Sequence, residues 1–184
     1  MTNSAPVSAV RQANSGVYRG GVSEIPSFDR SRCSIAGTLG VVGEKWSFLV
    51  LREAFLGVRR FADFQRLLGA PRAVLTDRLS TLVEQGVLMR VPYQVAGERQ
   101  RDEYRITDKG LDLYPALVAL MHWGDRYLAE GQAPAMALTH RDCGAPVHLR
   151  LECEAGHHLD GARDVRPVPS AVSCESAQPN TCHY

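Results

Sequence analysis

Apolar side chains with helical spacing organise the first half of the chain. In residues 34–42, Ile35, Ala36, Leu39 and Val42 recur at that spacing, and Gly43 suits the cap that ends the segment. A second helix is predicted over 44–56, with Trp46, Leu49, Val50 and Leu56 at core positions and acidic Glu44 at the start. Phe61, Phe64 and Leu68 then follow at i, i+3 and i+7. Gly69-Ala70-Pro71 interrupts the pattern before a longer helix over 72–85. One face of that helix holds Leu75, Leu79, Leu82 and Val83, while Ala73, Thr76, Asp77 and Ser80 fall on the opposite face. Residues 1–30 carry no such period and are rich in Ser, Gly, Ala and Pro, so a flexible arm is expected there.

Past Gly86 the period changes. Val87, Met89, Val91 and Tyr93 alternate with Leu88, Arg90 and Pro92, and Tyr104 and Ile106 stand between Glu103, Arg105 and Thr107. This predicts a two-stranded hairpin whose loop, 94–101, carries Arg99 and Arg101, with Pro92 confining its strand to an edge. Thr107 reads as the N-cap of a long helix reaching about Gly131, with Leu113, Leu117, Leu120 and Gly124 on one face and Pro115 in an irregular early turn. Residues 132–166 form a small Cys- and His-containing extension, and 167–184 read as a disordered tail.

The expected fold is thus mainly α with a small β-hairpin, in the order of a winged helix-turn-helix. In that fold the second helix of the pair enters the major groove and the hairpin wing follows the backbone. The segments Cys33-Ser-Ile-Ala, Gly43-Glu-Lys-Trp46, Leu51-Arg52-Glu53, Arg60-Phe61-Ala-Asp63-Phe64, Leu75-Thr-Asp-Arg78-Leu79, Gly86-Val87-Leu88 and Tyr104-Arg-Ile-Thr107-Asp-Lys-Gly110 resemble the HxlR-type regulators related to MarR. The resemblance spans about residues 33–128 and places the domain at 31–131. It implies a dimeric bacterial transcription regulator, in a family with members that sense oxidants or electrophiles through the cysteine preceding the first helix.

Composition agrees with a globular protein: of 184 residues, 45% are hydrophobic and 22% charged. The densest apolar run, 116–121, is far short of the roughly 18 residues of a membrane span. The first residues show neither an export nor a lipidation signal, which predicts a cytoplasmic protein. The net charge of +1 conceals an asymmetry: residues 59–101 hold eight Arg against four acids, and residues 102–184 hold seven basic and twelve acidic side chains. A basic middle suits an anionic partner met by one face, though a solvated mixed-charge surface gives the same count; the winged-helix order and the family resemblance make that partner double-stranded DNA. No glycine-rich phosphate loop, HExxH or GxSxG motif supports an enzyme. The competing readings are a winged-helix adaptor that binds protein and, with less support, a metal or thiol enzyme.

Candidate DNA-contacting residues follow from position. Arg72, Thr76 and Asp77, with Ser80 behind, are expected at base edges, and Arg99, Arg101, Arg59 and Arg60 at phosphates. Arg78 is equally suited to a phosphate or to an ion pair with Asp63 or Glu84. Dimerisation through the first and the long C-terminal helices would give an operator with inverted-repeat character. Trp46 and Trp123 are expected in the core or the dimer interface.

Five cysteines, at 33, 143, 153, 174 and 182, are too few and too unevenly spaced for a disulfide scaffold. Cys33 is the candidate redox sensor, because a helix N-terminus with Arg30 and Arg32 nearby favours a reactive thiolate. His140-x2-Cys143 and Cys153-x3-His157 resemble the two ligand pairs of a small zinc ribbon. Their nine-residue separation is short and the second pair is not CxxC, so a degenerate, metal-free ribbon stands beside the structural-zinc reading. No other cofactor is expected.

Overall fold

The computed structural model describes residues 29–168 apart from Val95 and Glu98. The flexible arm expected over 1–28, most of the tail, and Cys174 and Cys182 lie outside the described residues. Two compact units are distinguished: Asp29–Leu149, and a second whose described part is 150–168. The sequence had placed the end of the winged-helix segment at 131.

In the first unit a 3-10 turn, Arg30–Arg32, leads into α1 (Ser34–Val42), α2 (Lys45–Phe55), α3 (Phe61–Leu68) and α4 (Arg72–Glu84). Helix α2 is central: it touches α1, α3, α4 and the hairpin, and buries Ser47, Val50, Leu51 and Glu53. Phe64 of α3 and Leu75, Leu79 and Leu82 of α4 complete a core closed by Val42, Val87 and Leu88. The bend between α3 and α4 depends on Gly69, whose φ of 62° is left-handed and whose N–H caps Gln65 O at 3.0 Å. Pro71, with φ −56°, then starts α4, where a missing N–H costs nothing.

Strands β1 (Leu88–Tyr93) and β2 (Arg101–Ile106) pair antiparallel, from Leu88 opposite Ile106 to Tyr93 opposite Arg101. A third segment joins them through the Tyr104 N–H, which donates to Arg59 O at 2.8 Å. The expected alternation is corrected at its start. Val87 and Leu88 are both buried and Met89 is 48% exposed. Val87 belongs to the turn out of α4, its N–H bonded to Leu82 O; the strand starts at Leu88, and exposed and half-buried positions alternate only from Arg90. Leu56 is also exposed, against expectation, because α2 stops at Phe55 and Gly57, at φ +90°, turns the chain away.

The long helix expected from Thr107 is two helices. Thr107 caps a single turn, α5 (Asp108–Leu111), by accepting from the Gly110 N–H at 3.1 Å. The chain then breaks, and α6 (Tyr114–Tyr127) begins with Pro115 in its first turn. Pro115 has no N–H to give to Leu111 O and its ring would crowd that carbonyl, so a continuous helix cannot pass. Helix α6 ends at Tyr127, short of Gly131. Beyond it, Thr139 bridges to Pro146 within the first unit. In the second unit β3 (Leu151–Glu152) pairs with β4 (His158–Leu159). Among the described residues no helix is long and apolar enough to cross a membrane.

Candidate nucleic-acid interface

The face of α4 opposite its three buried leucines carries Arg72, Ala73, Thr76 and Asp77, all exposed, with Ser80 half-buried behind them. Their conformations are locally fixed. The Arg72 guanidinium lies 5.0 Å from the centre of the Phe61 ring, a cation-π contact that links the first residues of α3 and α4. Thr76 Oγ1 donates back to Arg72 O at 2.9 Å. Arg78 pairs with its neighbour Asp77 rather than with Asp63 or Glu84, the carboxylates the sequence suggested. Asp63 is taken instead by Arg66, at 3.1 Å.

Beside this face stands the wing. Arg99 and Arg101 are exposed at its tip and at the start of β2. Arg60, the N-cap of α3, stacks its guanidinium 4.7 Å from the Tyr93 ring centre, and Arg59 reaches to 4.0 Å of Glu103. Glu103 is 8% exposed and accepts from Arg105 at 2.6 Å. Arg59, Arg60 and Glu103 line an open cleft of about 490 Å³ together with Leu56, Val58 and Arg66. Sequence reasoning missed Arg90, whose guanidinium donates to Ser80 Oγ at 3.4 Å across the gap from β1 to α4. It also missed Glu103. Strand alternation hid that carboxylate: with Tyr104 and Ile106 packed against the core, Glu103 and Arg105 fall on the other face, where only the nearby Arg59 and Arg105 reveal that Glu103 is enclosed.

A second group of contacts holds α4 from below. Thr107 Oγ1 lies 2.6 Å from Gly86 O, its main-chain N–H donates to Val87 O at 3.2 Å, and Lys109 Nζ donates to Gln85 O at 2.8 Å. Gly110 packs so closely that a Cβ there would overlap Val87 O and come within 2.9 Å of Ile106 Cγ2. The short helix α5 is thus fastened to the C-terminal turn of α4, where unpaired carbonyls attract donors and positive charge.

Cys33 is the half-buried N-cap of α1. Its carbonyl accepts from the Gly37 N–H at 3.0 Å, and its side chain makes no capping bond. The turn before it is held by Asp29, whose carboxyl is kept below the ordinary value by hydrogen bonds from the Ser31 hydroxyl, first, and the Ser31 N–H. Trp46 is half-buried against the core, whereas Trp123 is 56% exposed.

Within the first unit, His140 Nδ1 lies 3.2 Å from Cys143 Sγ; within the second, Cys153 Sγ lies 3.5 Å from His157 Nδ1. No group of three or more His, Cys, Asp or Glu positioned for a metal occurs among the described residues.

The exposed polar face of α4, a wing bearing Arg99 and Arg101 and a helix-turn-helix core agree with what comparison with known proteins finds. Residues 41–132 match the model of the HxlR-like helix-turn-helix family. The chain belongs to that family. An HTH-type transcriptional regulator of Mycobacterium tuberculosis, itself uncharacterised, is 46% identical over 136 residues, covering 74% of this chain and 85% of the relative. One from Synechocystis is 32% identical over 136 residues, covering 73% and 93%. Among solved structures, PA1607, a candidate transcription factor, is 39% identical with a TM-score of 0.68, covering 77% of this chain and 97% of that one. The HxlR-type chain is therefore a winged helix-turn-helix transcriptional regulator, and DNA is the partner that its family implies.

Proposed function

We propose that this regulator works as a homodimer on operator DNA of inverted-repeat character, each α4 in a major groove and each wing against the backbone. The observation that carries the reading is the exposed face Arg72, Ala73, Thr76 and Asp77 on the second helix of the pair. Helices α1 and α6 support the dimer, because they leave Ile35, Leu39, Leu120, Trp123 and Tyr127 more than half exposed in a single copy. Two-fold symmetry then sets the recognition helices about 34–36 Å apart, one turn of DNA. Titration of the full chain against its own upstream region at two salt concentrations tests this. Specific binding that weakens steeply with salt is expected. Absence of any shift would favour the adaptor reading, in which the same domain binds protein.

The position of Cys33 supports a finer reading, a redox- or electrophile-dependent change in DNA affinity. Cys33 caps α1, one of the two helices assigned to the interface, so oxidation there bears on the dimer rather than on the recognition helix directly. DNA affinity of wild type should change after mild peroxide and that of Cys33→Ser should not. Equal responses from both, or none from either, would remove Cys33 as the switch.

A further inference from the structure

The outward face of α4 can be read group by group for what it offers a base pair. Arg72, stacked on Phe61, presents a guanidinium with its stem restrained. Ala73 presents a methyl group. The hydroxyl of Thr76 is committed to Arg72 O, so its methyl group is the part left for the groove. Asp77 presents a carboxylate whose side chain is 62% exposed, with Oδ2 paired to Arg78. Among the described residues, its Oδ1 accepts no hydrogen bond.

A carboxylate on a DNA-facing helix demands explanation. Ionised, it only accepts hydrogen bonds, and the phosphates on both sides of the groove repel it. It is tolerated where it meets a base amino group. In the major groove the donors are the amino groups of cytosine and adenine, while guanine and thymine turn acceptors toward the protein. Adenine sets its N7 acceptor beside the amino group, against which a carboxylate is repelled; cytosine has no such neighbour. The Arg78 guanidinium holds Oδ2 and compensates part of the charge, which leaves Oδ1 as the reading atom.

We propose that Asp77 is a specificity-determining residue that requires a cytosine at one position of each operator half-site, flanked on the side of Thr76 by a base offering a methyl contact. This rests on the DNA-binding reading above and extends it to the sequence recognised. The test is selection from a randomised duplex pool by the full-length wild type, Asp77→Asn and Asp77→Ala, followed by titration of the selected site with single base-pair changes. Wild type should enrich a half-site with a fixed cytosine, and changing that pair should weaken binding by about tenfold or more. Asp77→Asn, with an amide suited to the paired N6 and N7 of adenine, should move the preference at that one position to adenine. Asp77→Ala should lose the preference there, keep it elsewhere, and bind unrelated duplex at least as tightly as wild type because a repulsive charge is gone. If all three proteins enrich one and the same sequence, Asp77 does not read a base and the proposal falls. If wild type enriches no sequence, the DNA-binding reading falls with it. Retained binding of unrelated duplex by both variants shows that they are folded.

Discussion

A carboxylate as enclosed as that of Glu103 needs positive charge within reach, and the wing provides it through Arg105 at 2.6 Å and Arg59 at 4.0 Å. Because both guanidinium groups are about half exposed, water screens the pair and its worth is modest. Glu103→Gln should lower stability by about 1–2 kcal/mol, read as a lower urea midpoint, mainly by leaving an imperfectly partnered polar group under the wing. A much larger effect is expected from Phe64→Ala, which empties the centre of the core: about 3–5 kcal/mol. At the surface the expectation is different in kind. Arg99→Ala should leave the stability in urea unfolding within about 0.5 kcal/mol of wild type yet weaken binding to every DNA sequence alike. It should also reduce the salt slope by about 1 per half-site. An unchanged slope would show that Arg99 meets no phosphate.

Elements whose faces are set by burial were legible in the sequence, and elements whose ends are set by a few hydrogen bonds were not. Leu75, Leu79 and Leu82 reveal the inner face of α4 by spacing alone, and Gly69 with Pro71 reveals the turn before it. The break at 112–113 was missed because the apolar spacing of Leu113, Leu117 and Leu120 continues through it, and only the local chemistry of Pro115 forbids the helix. Asp77 as the partner of Arg78 was hidden by adjacency in sequence, since neighbours on a helix normally point apart. Tertiary fastenings such as Lys109 on Gln85 O link residues 24 apart and leave no periodic trace. That fastening makes a prediction for α5. Gly110→Ala must displace Val87 O, which Thr107 also holds, so a loss of about 1–3 kcal/mol from overpacking is expected in thermal unfolding. Lys109→Met removes one exposed donor from the end of α4 and should cost under about 1 kcal/mol. Equal effects from the two changes would show that the close approach at Gly110 relaxes freely.

For the whole molecule the feature that bears on assembly is apolar surface exposed among the described residues. Ile35 is 72% exposed, Leu39 54%, Leu120 53%, Trp123 56% and Tyr127 59%, on the two helices that flank the winged core in sequence. On α6 the Trp123 and Tyr127 rings already lie 5.5 Å apart, one turn from each other, so a partner would meet a preformed aromatic pair rather than scattered side chains. In the homodimer we propose, a second copy would cover this surface and double the DNA contacts. Trp123→Asp sets a charge into that pair without touching α4 or the wing, so the winged domain should fold while the dimer dissociates. Sedimentation at micromolar concentration should show a monomer where wild type is a dimer, with circular dichroism unchanged. Operator affinity should then fall by a hundredfold or more, on the order expected when two linked half-sites become one. Affinity for a single half-site should stay the same. A Trp123→Asp protein that remains dimeric would place the subunit contact elsewhere, and a monomer that binds the full operator as tightly as wild type would separate dimerisation from recognition altogether.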